Sequence, residues 1–194
     1  MRRRELLAGL GSVGVLAGAG VVALNGLPTL DDTATNGDLE TTDSGDGDGQ
    51  GDRVTVETID APGSEAGEVT VPSTEQATFV DFFGTWCPPC VEQMPALYEA
   101  NERVGDRVRF MSVTTEPVGD TISEQEVVDW WEEHDGNWLL GTDPRAELAA
   151  RYLAGGYPSA VAIDAAGRVQ WSDAGVKTAD ELVDGIERAL ESDE

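Results

Sequence analysis

The sequence predicts an α/β domain: a mixed sheet flanked by helices on both faces, with an N-terminal β-hairpin and one helical insert. Three observations carry this. The runs Thr78–Phe83 and Val108–Thr114 are short, compact and apolar, the pattern of strands buried on both faces. Segments of helical period lie between such runs, two of them opened by capping boxes, Ser123 to Glu126 and Thr178 to Glu181. The 194-residue chain is 40% hydrophobic, enough for one core of ordinary size.

Taken in order, Arg53–Ile59 alternates Val54 and Val56 with polar residues and reads as a strand; Gly67–Val71 is its hairpin partner across a Pro-Gly turn. Thr78–Phe83 is a central strand. A helix opens at Cys87-Pro88-Pro89-Cys90, with Val91, Met94, Leu97 and Val104 on its apolar period, Pro95 predicting a kink, and Gly105 as its stop. Val108–Thr114 is the second buried strand, and Ser123 caps a helix that runs to about His134. Trp138–Leu140 reads as a short strand, and Asp143-Pro144 caps a helix to about Leu153. Ser159–Asp164 and Arg168–Ser172 are strands joined by a tight turn ending at Gly167, and Thr178 caps the last helix. The order is β-β, then β-α-β-α-β-α-β-β-α, which requires a mixed sheet.

The first 52 residues read differently. Arg2, Arg3 and Arg4 precede Leu6 and Leu7, and there is no charged residue from Leu6 to Leu27. A basic start with an apolar run is the layout of an export segment, and the paired arginines with two leucines and many glycines resemble a twin-arginine signal. Residues 1–27 are therefore expected to be a cleaved signal, cut near Ala17-Gly18-Ala19, or a retained membrane anchor, with the rest of the chain outside the membrane in both cases. Residues 28–52 hold eight acidic and no basic residues, no apolar period, and mostly Gly, Asp, Thr and Ser; they are expected to be a disordered linker. Residues 53–194 form the single folded domain.

Charge and cysteine count exclude several classes. Twelve basic against 38 acidic residues give a net charge of −26, which repels phosphate backbones and argues against nucleic acid as a partner. One lysine, few aromatics and so many acids resemble the surface of proteins from salt-loving organisms. Two cysteines build neither a disulfide scaffold nor a four-cysteine zinc site, and a single histidine excludes His-rich metal centres. Both cysteines fall in Trp86-Cys87-Pro88-Pro89-Cys90, where a buried strand passes into a helix. There Cys87 meets the positive end of the helix dipole, and Cys90 lies one turn further in. Cys87 can attack a disulfide and be released by Cys90. Pro88 and Pro89 lack N–H groups, so two donors near the Cys87 sulfur are missing. His134, at a helix C-terminus, and Trp130, Trp131 and Trp171 read as structural.

The run Phe79-Val80-Asp81-Phe82-Phe83-Gly84-Thr85-Trp86-Cys87-Pro88-Pro89-Cys90, then Met94-Pro95, then Tyr157-Pro158 and Ile163-Asp164 through Gly167, resembles the thioredoxin fold and, within it, the TlpA/ResA-like branch of membrane-linked thiol–disulfide oxidoreductases. The resemblance spans about Arg53 to Leu190. It implies that Cys87 is an exposed nucleophile and Cys90 a buried resolving thiol, that Asp81 is the buried carboxylate receiving the resolving thiol's proton, and that Pro158 is a cis-proline facing the disulfide. It further implies that Trp86, Pro88, Pro89 and Tyr157 contact substrate. Burial raises a carboxyl pKa, which suits Asp81 to act as a base. Gln93 departs from the branch, which often has Glu three residues after the second cysteine; proton handling then rests on Asp81. Tyr157 is bulky for the position before a cis-proline.

The implied activity is extracytoplasmic thiol–disulfide exchange with no cofactor beyond the Cys87–Cys90 pair. Reduction of exported proteins, with apocytochrome c a candidate, is the leading direction, fed by a membrane thiol carrier; a disulfide-forming oxidase is the alternative. A copper metallochaperone of the same fold fits less well, since two residues, not three, separate the cysteines. The domain is expected to be a monomer.

Overall fold

The computed structural model describes residues 53–193 except residue 153; the expected export segment 1–27 and linker 28–52 lie outside the described residues. One seven-stranded sheet in the order β2-β1-β5-β4-β3-β6-β7 organises the domain. Its centre is β3 (Thr78–Phe83), buried at every position, paired in parallel with β4 (Arg109–Thr114) and antiparallel with β6 (Ser159–Ile163). β5 (Leu139–Thr142) extends β4 in parallel. The predicted hairpin forms as β1 (Val54–Thr58) and β2 (Gly67–Val71) and joins the sheet through β1 against β5. β7 (Val169–Ala174) closes the other edge on β6.

The side-chain period of two divides β3 cleanly. Phe79 and Phe83 enter one core with Cys87, with Cys90, Met94 and Leu97 of α1 (Pro88–Val104), Val127 and Trp131 of α2 (Glu124–Glu133), and Leu182 and Ile186 of α4 (Ala179–Glu191). Val80 and Phe82 point to the opposite core with Met111, Val113, and Leu148 of α3 (Glu147–Arg151). Helices cover both faces as expected, unevenly: α1, α2 and α4 pack on one, α3 on the other.

Two details depart from the sequence pattern. Val91 is exposed, and Gln93 is buried in its place. The buried stripe of α1 starts at Cys90 and runs through Gln93, Met94, Leu97, Ala100 and Val104, so Val91 lies about 100° off it. α1 continues as one helix across Pro95. The N–H that Pro95 lacks is the one that would have bonded the Val91 carbonyl. Finally, α3 is shorter than the expected Asp143-to-Leu153 helix. Asp143 does cap it, from a distance: its carboxylate accepts the N–H groups of Glu147 and Ala149 at 2.8 and 2.9 Å, leaving Pro144–Ala146 as a turn.

The capping boxes at Ser123 and Thr178 form as predicted. Trp131 is fully buried, with its indole N–H on the Pro62 carbonyl at 3.0 Å, and Trp130 stacks on Phe83. His134 caps α2 and donates Nδ1–H to the Trp130 carbonyl at 2.7 Å, a structural role. Trp171 lies so close over α4 that a Cβ at Gly185 would meet its ring at 2.5 Å, which accounts for a glycine in mid-helix.

Candidate active site

The end of β3 and the start of α1 build the site. β3 stops at Phe83, and Gly84-Thr85-Trp86 turns the chain into the helix, with the Cys87 N–H donating to the Gly84 carbonyl at 3.1 Å. Cys87 is the N-cap and Pro88 and Pro89 are the first two helical residues, exposed, as their missing N–H groups permit. Cys87 and Cys90 form a disulfide with Cα atoms 5.3 Å apart. The first helical N–H able to reach the Cys87 sulfur is that of Cys90, at 3.2 Å.

The expectation of an exposed Cys87 is corrected. Cys87 is 4% exposed and Cys90 1%. As N-cap, Cys87 turns its sulfur in toward the helix end, where the disulfide and the Cys90 N–H hold it against the core. Cys87 remains the more accessible of the two.

Asp81 is two residues from both Phe79 and Phe83, so its side chain leaves the sheet on the face that carries Cys87 and Cys90. It is 2% exposed, and its Oδ2 accepts a hydrogen bond at 3.1 Å from the hydroxyl of Ser112, its neighbour in the β3–β4 register. The Trp138 indole N–H donates to that same hydroxyl oxygen at 3.0 Å. Burial pushes the Asp81 carboxyl up from 3.8 to about 7, and the Ser112 hydrogen bond only partly opposes it.

Tyr157-Pro158 is a cis peptide immediately before β6. Pro158 is buried, and its carbonyl accepts the Gly175 N–H at 2.8 Å. The Tyr157 ring meets the Trp86 indole edge-on, centroids 5.8 Å apart, and its hydroxyl bonds Thr115 Oγ1. Trp86 is 66% exposed, a large aromatic surface beside the disulfide rather than a core residue. The fold thus gathers all eight expected residues into one region: Cys87, Cys90, Pro88 and Pro89 on α1, Asp81 beneath on β3, and Trp86 against Tyr157-Pro158.

Other residues of the site carry weaker sequence signals. Glu116, just past β4, accepts the Thr85 N–H at 2.7 Å, the Thr85 hydroxyl at 2.9 Å and the Thr114 hydroxyl at 3.0 Å, and so pins the turn before Trp86. Thr114-Thr115-Glu116 stands at the C-terminal end of a buried parallel strand, where α/β sheets place their sites; that position is the signal that points to them. Ser112 and Trp138 come together only through strand register. Among the described residues no cluster of three or more His, Cys, Asp or Glu could hold a metal ion. Among them, too, no helix is long and apolar enough to cross a membrane.

With this geometry in place, the likenesses to known proteins are specific. The redoxin family model matches residues 50–190. Sporulation thiol-disulfide oxidoreductase A of Bacillus subtilis is 25% identical over 126 residues, 63% of this chain and 74% of that protein. Thiol-disulfide oxidoreductase ResA of Bacillus cereus is 24% identical over 108 residues, 55% of this chain and 60% of that protein. The fold matches a secreted Mycobacterium tuberculosis disulfide oxidoreductase homologous to E. coli DsbE, with a TM-score of 0.56 at 17% identity, over 69% of this chain and 94% of that one. The site and these likenesses agree: the chain belongs to the redoxin family and is a thioredoxin-fold thiol–disulfide oxidoreductase of the TlpA/ResA-like branch.

Proposed function

We propose that the protein works outside the cytoplasmic membrane as a reductase of disulfides in exported proteins, held or delivered by residues 1–27. The carrying observation is the Cys87–Cys90 disulfide at the start of α1 with the Asp81 carboxyl beneath it on the same sheet face. In the reduced protein, the Cys87 thiolate attacks one sulfur of a substrate disulfide. A mixed disulfide forms and one substrate thiolate leaves. Asp81 then takes the Cys90 proton, and the Cys90 thiolate attacks the Cys87 sulfur. The Cys87–Cys90 disulfide closes and the second substrate thiolate departs, so two electrons have moved to the substrate. The Tyr157-Pro158 edge and the Trp86 face are where an extended substrate segment lies, with Pro88 and Pro89 forming the facing rim.

The direction of electron flow rests on donors that the helix end lacks. A strongly oxidising dithiol is one whose reduced form is stabilised. Here Pro88 and Pro89 remove two of the N–H donors that would stabilise a Cys87 thiolate, and an ionised Asp81 opposes a second negative charge nearby. The disulfide is therefore the favoured form, which suits electron donation. No cofactor beyond the cysteine pair is required; a membrane thiol carrier returns the electrons, and apocytochrome c is a candidate substrate. Secretion of the Mycobacterium tuberculosis structural neighbour supports the location. Two measurements test the reading. A reduction potential near about −270 mV agrees with it, and one near about −120 mV makes the protein an oxidase. Cys87→Ser is expected to abolish reduction of insulin disulfides.

A further inference from the structure

Gln93 lies three residues after Cys90, one turn along the same face of α1, and is 2% exposed. A buried amide needs partners for both its ends. Gln93 finds both on one residue 84 positions later: Nε2 donates to the Lys177 carbonyl at 3.1 Å, and Oε1 accepts the Lys177 N–H at 2.6 Å. Lys177 in turn closes the loop between β7 and α4. Its ammonium donates to the carbonyls of Ala174 and Gly175 at 2.6 and 3.2 Å and pairs with Asp173 at 3.4 Å. Gly175, at φ 84°, aims its N–H at the Pro158 carbonyl. A continuous path thus runs from Cys90 through Gln93, Lys177 and Gly175 to Pro158, and Tyr157 returns it to the motif through Trp86.

We propose that Gln93 is a positioning residue: it sets the separation between the Cys87–Cys90 end of α1 and the Tyr157-Pro158 edge, and so the slot that admits an extended substrate segment. The inference rests on the reading of that edge as substrate-facing. Residue chemistry supports it. Lys177 presents one backbone donor and one backbone acceptor, and an uncharged amide is the side chain that answers both. A carboxylate would set an oxygen against the Lys177 carbonyl, and an apolar side chain would leave both groups without a partner. Gln93 has no proton to exchange, so its contribution is geometric.

The test uses the full chain, dithiothreitol as reductant and insulin as substrate. Gln93→Met is expected to raise KM about tenfold, with kcat within about twofold of the wild type, because a slot misplaced by a fraction of an ångström weakens docking. Gln93→Glu keeps the shape and the acceptor but loses the donor, and it is expected to raise KM too; it carries the test where Gln93→Met does not fold. A fall in kcat at unchanged KM, or wild-type constants in both variants, overturns the assignment. Cys87→Ser keeps the two failures apart: if that variant reduces insulin as the wild type does, the thiol reading beneath the inference is what fails.

Discussion

Asp81→Asn should make the protein more stable and less active, by amounts the burial of this side chain sets. Asparagine keeps the shape and an acceptor for the Ser112 hydroxyl, but does not ionise. In the wild type the carboxyl titrates near 7 when folded and near 3.8 when unfolded. Between those values the folded state binds more protons, so stability falls as pH rises from about 4 to about 7 and stays low above that. The full loss is roughly 3 pKa units at 1.36 kcal/mol each, about 4 kcal/mol. Urea denaturation of the oxidised proteins, without reductant, measures it. The difference between Asp81→Asn and the wild type should grow by about that amount from pH 4 to pH 8. A constant offset from burying the new amide leaves this growth untouched. Insulin reduction at neutral pH should meanwhile fall about 100-fold, the low end of what a positioned base contributes, because Cys90 loses its proton acceptor. A stability difference that does not change with pH would refute the argument, since it would mean that Asp81 does not hold its proton in the folded state.

Two further outcomes concern the scaffold. Glu116→Ala removes the acceptor for the Thr85 N–H and two hydroxyls and should cost about 2 kcal/mol in urea denaturation, whereas Glu116→Gln, which keeps an oxygen, should cost less than half as much. Ser123→Ala and Thr178→Ala each break a reciprocal capping box and should cost about 1 kcal/mol; they sit on separate helices, so the double variant should lose the sum.

How much of the structure is legible in the chain depends on range. β2 and β3 lie where the apolar patterns put them, to the residue, because a strand buried on both faces writes itself as a continuous run and a hairpin edge as alternation. Both capping boxes form, because a cap joins residues three apart. α3 starts later than its pattern suggests, because Asp143 caps it across a turn that no short-range signal marks. The site divides in the same way. Cys87 and Cys90 are legible from strand-to-helix context, and Asp81 from the family resemblance of the buried strand that carries it. Ser112 and Trp138 are not, since they converge only when β4 sits beside β3 and β5 beside β4. Gln93 stands out in the sequence as a departure from the branch, but its partner lies 84 residues away, and nothing local points there.

The net charge of −26 and the buried carboxyl are separate electrostatic problems. Surface acids act through water, and at molar salt their fields fade within about 3 Å. Asp81, on β3, is buried away from mobile ions, and its proton affinity is set by burial and by one hydroxyl. The thiols share that shelter: both cysteines belong to the same core as Phe83 and Leu97. A more acidic surface therefore leaves the exchange chemistry as it is. The converse also holds. In the proposed reductase the determinants of the redox pair are few and local: two prolines that withhold donors and one carboxyl held near neutrality. Their effects are short-ranged and largely unscreened, so in the proposed reductase it is these groups, and not the surface acids, that set the poise of the pair.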